Sequence, residues 1–264
     1  MLSFSPEPNT LTPDWPDLPA GVVALTTLRG GGFSLGVYGD GAGGGGLNLG
    51  THVDDLPETV ERNRQLLQTV LPVAPAWLTQ VHGINVLDAT DLSGAGVNLK
   101  ESNTADASIA LGRGAVCAVM TADCLPVLFA DRNGTMVGAA HAGWRGLLNG
   151  VLENTIRSMR DAGADDITAW LGPAIGPARF EVGPEVRAAF VLRDARNDAA
   201  FMAVASAPGK YLADIYQLAR VALKEVGVTS VSGGGFCTVD DAARFYSYRR
   251  DGVTGRFATL IWIA

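Results

Sequence analysis

Three short segments carry the side chains with the most chemistry to offer: Thr79-Gln80-Val81-His82-Gly83, Thr121-Ala122-Asp123-Cys124-Leu125-Pro126 and Ala140-His141-Ala142-Gly143-Trp144-Arg145-Gly146. The chain holds only three histidines and three cysteines. Little else is available to bind a soft metal or move a proton near neutral pH. Imidazole and thiolate suit Zn²⁺, and three protein ligands with a fourth position open is the catalytic arrangement. A Cys–His pair can instead make an activated sulfur nucleophile. His82, Cys124 and His141 are therefore the candidate catalytic and metal-ligating residues.

Each of the three has an ordinary alternative. A lone histidine before glycine, as His82 is, can be a packing residue, and a buried free cysteine is usually an inert small hydrophobe. Asp123 shifts that balance, because a carboxylate in an apolar stretch is costly unless paired, hydrogen-bonded or near a metal. His141 precedes Arg145 at a predicted helix start, a ready place for an anion. The spacing lacks the compact i, i+4 ligand pair of an HExxH helix. Cys117 and Cys237 read as packing residues, His52 as a solvated surface residue, and Glu181, Asp240 and Asp241 as caps or solvated charges.

The elements that must position these groups alternate along the chain. Val22 to Thr27 predicts a first strand, and Pro57 to Leu71 an amphipathic helix with Val60, Leu66, Leu67 and Val70 on one face. Trp77 to Val81 reads as a strand delivering His82. Ala115 to Met120 and Leu125 to Phe129 read as buried strands with the thiol at a break between them. Met136 to Ala140 is a further strand with His141 after it, leading to a helix from about Leu147 to Ala162. Ala169 to Leu171 reads as a strand, Glu185 to Phe190 and Leu212 to Val226 as helices, Val231 to Cys237 as a short strand and Arg256 to Ala264 as a last one. The six glycines between Gly39 and Gly46 read as a floppy loop, with no P-loop pattern. Residues 1–20 read as a proline-rich surface extension and 21–264 as one domain.

Composition narrows the function classes. With 20 basic and 27 acidic side chains and a net charge of −7, non-specific nucleic-acid binding is disfavoured. The N-terminal stretch lacks the pattern of a signal peptide, and no apolar run approaches the ~18 residues of a membrane span. The expectation is a cytoplasmic protein with reduced thiols and no membrane or nucleic-acid partner, as a monomer or small homo-oligomer.

These motifs, with Thr27-Leu28-Arg29-Gly30-Gly31, Leu47-Asn48-Leu49-Gly50, Asn63-Arg64, Ala105-Asp106-Ala107, Gly172-Pro173-Ala174-Ile175-Gly176-Pro177, Phe180-Glu181-Val182-Gly183 and Phe245-Tyr246-Ser247-Tyr248-Arg249-Arg250-Asp251, resemble a known family. It is the bacterial laccase-domain family, also called polyphenol oxidase or multicopper polyphenol oxidoreductase, whose members are now regarded as purine nucleoside phosphorylases. The resemblance implies a layered α/β (α+β) fold, with mixed central β-sheets flanked by helices, similar to Cys–His toxin-like hydrolases. It implies a zinc site of His82, Cys124 and His141; copper is an alternative occupant in vitro because divalent copper outcompetes zinc at most nitrogen and sulfur ligands. It also implies phosphorolysis of adenosine, inosine and 5′-methylthioadenosine with phosphate as co-substrate, and adenosine deamination as a side activity. Arg29, Arg64 and Arg145 are the candidates for phosphate or ribose contacts, because guanidinium suits oxyanions, and Asn48 and Gln80 are candidates for orienting the substrate or a ligand. The rivals are a Cys124 amidohydrolase editing a peptidoglycan precursor, a copper polyphenol oxidoreductase, and a binding protein with a structural zinc. Three histidines cannot supply multicopper chemistry.

Overall fold

A computed structural model describes residues 7–92 and 103–264. Residues 1–6 of the proline-rich extension lie outside the described residues. In chain order the strands are β1 (Thr10–Leu11), β2 (Val22–Thr27), β3 (Gly30–Ser34), β4 (Val86–Asp88), β5 (Ala107–Leu111), β6 (Val116–Thr121), β7 (Leu125–Asp131), β8 (Met136–Ala142), β9 (Ile167–Leu171), β10 (Glu181–Val182), β11 (Phe201–Ala203), β12 (Tyr211–Ala213), β13 (Val231–Gly233) and β14 (Phe257–Ile263). The helices are α1 (Pro57–Gln68), α2 (Ala89–Leu92), α3 (Trp144–Asn149), α4 (Val151–Asp161), α5 (Pro184–Arg193), α6 (Ile215–Glu225) and α7 (Tyr248–Asp251). Among the described residues no helix is long and apolar enough to cross a membrane.

Two sheets stack face to face. One has the order β1-β2-β14-β6 and the other β13-β9-β7-β8-β5-β4, and a small sheet β10-β12-β11 stands apart. The larger sheet is mixed: its central pairs are antiparallel, with parallel pairs β13/β9 and β4/β5 at its edges. Strand alternation distributes side chains between the layers. Cys117 and Val119 of β6 point inward with Ile261, against Leu128, Ala130, Val137 and Trp170 of the other sheet. Their neighbours Val116, Ala118 and Met120 point the other way and meet Leu66 and Leu67 of α1. On the far side, Val127, Phe129 and Ala140 pack on Leu152, Ile156 and Leu218 of α4 and α6. Helices thus cover both outer faces. This explains why β7 and β8 are buried at every position and read as continuous apolar runs rather than alternating ones.

The structure departs from the sequence reading in several places. Residues 77–81 are not a strand; isolated bridges, Ala76 to Cys117 and Thr79 to Thr104, stand in place of a continuous ladder. His141 lies within β8 rather than after it. The helix expected from 147 to 162 is two helices, separated by Gly150 at φ 102°, a left-handed conformation that halts α3. Residues 211–213 form a strand before α6 begins, with Asp214 as its N-cap accepting from the Gln217 N–H. β13 stops at Gly233. Finally, the glycine loop is tied down. The Asp40 carboxylate accepts from the N–H groups of Ala42 and Gly44, and the Gly45 carbonyl accepts from Gly31 and Gly32. A Cβ at Gly46 would fall on the Tyr38 carbonyl and the Tyr246 hydroxyl. The glycines there permit close backbone approach, not floppiness.

The described part of the N-terminal extension is also anchored. β1 pairs with β2, and Trp15 is 5% exposed, its indole N–H donating to Thr168 Oγ1 at 3.0 Å. Replacing Trp15 by alanine removes a large buried ring, so Trp15→Ala is expected to destabilise the protein by ~3–5 kcal/mol, read as a lower denaturant midpoint. A surface extension would leave the midpoint unchanged.

Candidate metal centre

The three predicted ligands converge where the two sheets are linked. β6 belongs to one sheet and β7 to the other, so the turn carrying Asp123 and Cys124 crosses between them. Asp123 takes φ 94° to make that crossing, a conformation uncommon outside glycine. Two hydrogen bonds to its carboxylate hold it: Thr238 Oγ1 donates to Oδ1 and the Arg249 N–H to Oδ2, each at 2.6 Å. The Ile175 N–H donates to its carbonyl at 2.9 Å. Asp123 thereby gathers the loops around residues 175, 238 and 249 beside Cys124.

His82 also has positive φ, at 59°, and its support is Asp106. That carboxylate is fully buried. Its Oδ2 accepts from the N–H groups of Val81 at 3.1 Å and Gly83 at 2.6 Å, and its Oδ1 from the His82 N–H at 2.9 Å. Oδ1 also meets His141 Nδ1 at 2.8 Å, which leaves Nε2 of His141 free as a ligand. Burial works to raise the Asp106 pKa, but the hydrogen bonds from His141 and the backbone outweigh it and hold the carboxyl below its ordinary value.

The ligand atoms of His82, Cys124 and His141 all lie within 4.8 Å of one another. Cys124 Sγ is 3.7 Å from His82 Nε2. Tetrahedral zinc, with Zn–S near 2.3 Å and Zn–N near 2.05 Å, sets that separation at about 3.6 Å. The donor set fits zinc. A Cβ at Gly143 would lie 2.7 Å from His82 Cδ2 and 3.1 Å from Cys124 Sγ, so only glycine lets the chain pass this close. Burial pushes the Cys124 thiol up, but the His141 charge and hydrogen bonds from both histidines bring it down to about 6. For His141, burial works to lower the pKa; the thiolate and the Asp106 hydrogen bond raise it to about 9. Between those values the metal-free pair is thiolate and imidazolium.

The substrate-binding candidates separate by position. Gln80 and Arg145 line cavities that border the ligands. Gln80 also pairs both ends of its amide with the Met120 backbone at 2.8 Å, holding the His82 segment to β6. Arg145 sits in the short α3 with its guanidinium over the Trp144 ring. Arg64 donates to the Leu49 carbonyl and lies over Trp77. The Asn48 side-chain oxygen Oδ1 accepts from the N–H groups of Gly50 and Arg256; Arg64 and Asn48 both act on the loop behind the site. Arg29 lies elsewhere. Its guanidinium serves the Gly39 and Ala242 carbonyls and pairs with Asp251 at 3.8 Å, engaged with the glycine loop rather than the ligands.

Sequence reasoning quoted Asp106 and Tyr248 within family motifs but gave them no role, did not single out Arg256, and assigned His52 to the surface. His52 is exposed, yet it lines one cavity with His82, Cys124 and His141. The signal for Asp106 was faint: a carboxylate one residue before a buried strand, costly there unless bonded.

Residues 23–264 match the family described as multi-copper polyphenol oxidoreductase laccase. A Pseudomonas aeruginosa protein named purine nucleoside phosphorylase PA4543 is 53% identical over 253 residues, spanning 96% of this chain and 98% of that protein. The Escherichia coli purine nucleoside phosphorylase YfiH is 52% identical over 255 residues, again 96% and 98%. Among solved structures, Neisseria meningitidis protein NMB0706 matches with a TM-score of 0.87 at 48% identity, covering 97% of this chain and 99% of that one. YlmD from Geobacillus stearothermophilus matches with a TM-score of 0.83 at 29% identity, covering 97% and 96%.

Two outcomes follow from the geometry. Asp106→Asn removes the charge that orients both histidines and is expected to weaken zinc affinity ~10–100-fold, measured by competition with a chromophoric chelator. In metal-stripped protein, alkylation of Cys124 is expected to rise through pH ~6 rather than the ~8.5 of an ordinary thiol. A midpoint at the ordinary value would contradict the thiolate–imidazolium pair.

Proposed function

This chain belongs to the multi-copper polyphenol oxidoreductase laccase family, and from that premise we propose that it is a zinc-dependent purine nucleoside phosphorylase. Its substrates are adenosine, inosine and 5′-methylthioadenosine, and adenosine deamination is a side activity. Relatives at 53% and 52% identity carry the phosphorylase name. The observation that carries the reading is a three-ligand His82–Cys124–His141 set bordered by two cavities. A structural zinc is normally closed by four protein ligands, and a fourth is missing from this cluster among the described residues.

In the reaction a phosphate oxygen bonds to C1′ as the C1′–N bond breaks, its electron pair leaving with the purine. Monohydrogen phosphate carries one proton and the departing base needs one, so the exchange balances without any other reactant. When bound, zinc supplies Lewis acidity, polarising an oxygen of the substrate or acidifying a water for deamination. The protein's own part is to keep the ligand set oriented through Asp106, and to exclude bulk water between the loops that Asp123 gathers. The family's copper label does not extend to multicopper oxidation here: three histidines are too few for a histidine-rich cluster.

One observation favours a second reading. Asp106, His141 and Cys124 stand in the order orienting acid, base and lowered-pKa thiol, the arrangement of a cysteine hydrolase acting on an amide. Metal content separates the two. Zinc-loaded protein given adenosine is expected to release adenine only with phosphate present. Chelation or Cys124→Ala is expected to slow this by ~10²-fold or more, matching several kcal/mol of Lewis-acid stabilisation. Full activity of the metal-free protein on an amide, abolished by alkylating Cys124, would favour the hydrolase; inosine as the only product would point to deamination alone.

A further inference from the structure

The two cavities beside the ligands have similar volumes, about 320 and 250 Å³, so size does not sort ligands between them. Their linings differ. The larger holds His52, Gln80 and Arg256; the smaller holds Trp144, Ile175, Phe180 and Ile215, with Arg145 and Arg249. His82, Cys124 and Tyr248 border both.

Arg256 is placed by its backbone. Its N–H donates to Asn48 Oδ1 at 2.9 Å, and its carbonyl accepts from the Leu49 N–H at 3.0 Å. Its guanidinium donates from NH1 to the carbonyls of Thr254 and Gly255, each at 3.0 Å. Arg64 approaches the same loop from behind, donating to the Leu49 carbonyl. Among the described residues neither guanidinium has a carboxylate within salt-bridge distance. Both are withdrawn from water, which lowers their pKa. Arg256 lines the larger cavity beside Cys124; the charges of Cys124 and Asp123 act on it without a direct ion pair, so its guanidinium keeps capacity to take up an anion. His52 feels the same field: burial, then the charges of Arg256 and Arg64, lower its pKa. In the smaller cavity both guanidinium groups lie over aromatic rings. Arg249 donates to the Glu181 carbonyl and lies over Phe180, and the exposed Arg145 lies over Trp144.

We infer that Arg256 is the phosphate-binding residue of this site, with phosphate in the His52–Gln80–Arg256 cavity and the purine in the Trp144–Phe180 cavity. Guanidinium forks match phosphate oxygens bidentately, and aromatic walls stack a flat base. The ribose then spans the boundary beneath Tyr248, which puts C1′ beside the metal ligands. This assignment rests on the phosphorylase reading.

The test varies inorganic phosphate at saturating adenosine, and adenosine at saturating phosphate, on zinc-loaded protein. Arg256→Met is expected to raise the phosphate KM by ~10–100-fold, as the loss of a charge-assisted pair implies, while the adenosine KM moves less than ~3-fold. Arg256→Lys is expected to recover part of the phosphate KM. Trp144→Ala is expected to show the opposite split. Because Arg256 also supports its own loop, a destabilised Arg256→Met is replaced by His52→Ala, with the same direction and a smaller phosphate effect. An unchanged phosphate KM in the Arg256 variants, or a phosphate effect confined to Trp144→Ala, would overturn the assignment. Thermal stabilisation by inorganic phosphate alone keeps the two claims apart. Arg256-dependent stabilisation without phosphate-dependent turnover would sink the phosphorylase reading and leave the anion site standing; no stabilisation of the wild type would overturn the anion site.

Discussion

The buried carboxylate of Asp106 is the constraint on which the centre depends. It accepts three consecutive backbone N–H groups, from Val81, His82 and Gly83, and engages the His141 ring at the same time. One residue thus fixes a strained loop and a side chain on a neighbouring strand. The strand register makes this possible. Ala107 of β5 lies opposite Ala140 of β8, so Asp106 and His141 are adjacent and the His141 N–H donates to the Asp106 carbonyl at 2.6 Å. A slip of one residue in that pair would turn His141 to the opposite face of the sheet. The packing of β5 and β8 between α4 and the second sheet therefore acts on the candidate metal ligands directly.

Asp123 plays the matching part for the thiol. Positive φ at a non-glycine residue costs on the order of 1–3 kcal/mol and survives only where the surroundings over-determine it. Here the surroundings are loops from distant parts of the chain, through Thr238, Arg249 and Ile175. The strain at Asp123 and the closure of the cavities are one event, because the same hydrogen bonds that hold the turn bring Tyr248 and Arg249 over Cys124. Both positive-φ residues at this site are of types that tolerate the left-handed region better than most. Each sits beside or at a ligand.

Much of the centre was legible because its chemistry is scarce. With three histidines and three cysteines available, residue type alone narrowed the ligand set, and the costly carboxylate of Asp123 marked the thiol's turn. The strands β6 and β7 were legible from their apolar runs, and β14 from its alternation. What was hidden depended on the third dimension. Asp106 and Arg256 belong to abundant residue types and lie 35 and 115 positions from His141 in opposite directions. Nothing local distinguishes Arg256 from the arginines that merely brace loops, as Arg29 does. Residues 77–81 have the apolar content of a strand, yet their hydrogen bonds go to isolated bridges and to the Asp106 carboxylate, and a pattern of hydropathy carries no record of such partners. The glycine loop misled for a related reason: composition reports conformational freedom, whereas the fold used the missing side chains as space.

The proton balance of the centre explains how one constellation serves either a metal or a nucleophile. Without metal, the Cys124 proton has in effect moved to His141, lowering the thiol to about 6 and raising the imidazole to about 9. A metal needs both groups unprotonated. The thiol is already lowered towards its thiolate form, and the proton that Cys124 and Asp106 hold on His141 must be expelled. Asp106 bears on this in two opposing ways. It stabilises the imidazolium, which makes that proton harder to lose, and it fixes Nδ1 as the hydrogen-bonded nitrogen, which presents Nε2 to the metal. Orientation is kept in either protonation state while the charge penalty applies only to one, so the arrangement is pre-formed before any ion arrives. The same pre-formation would leave a reactive thiolate whenever the ion is lost. Under the proposed zinc reading, keeping the metal bound would suppress cysteine chemistry as well as supply Lewis acidity.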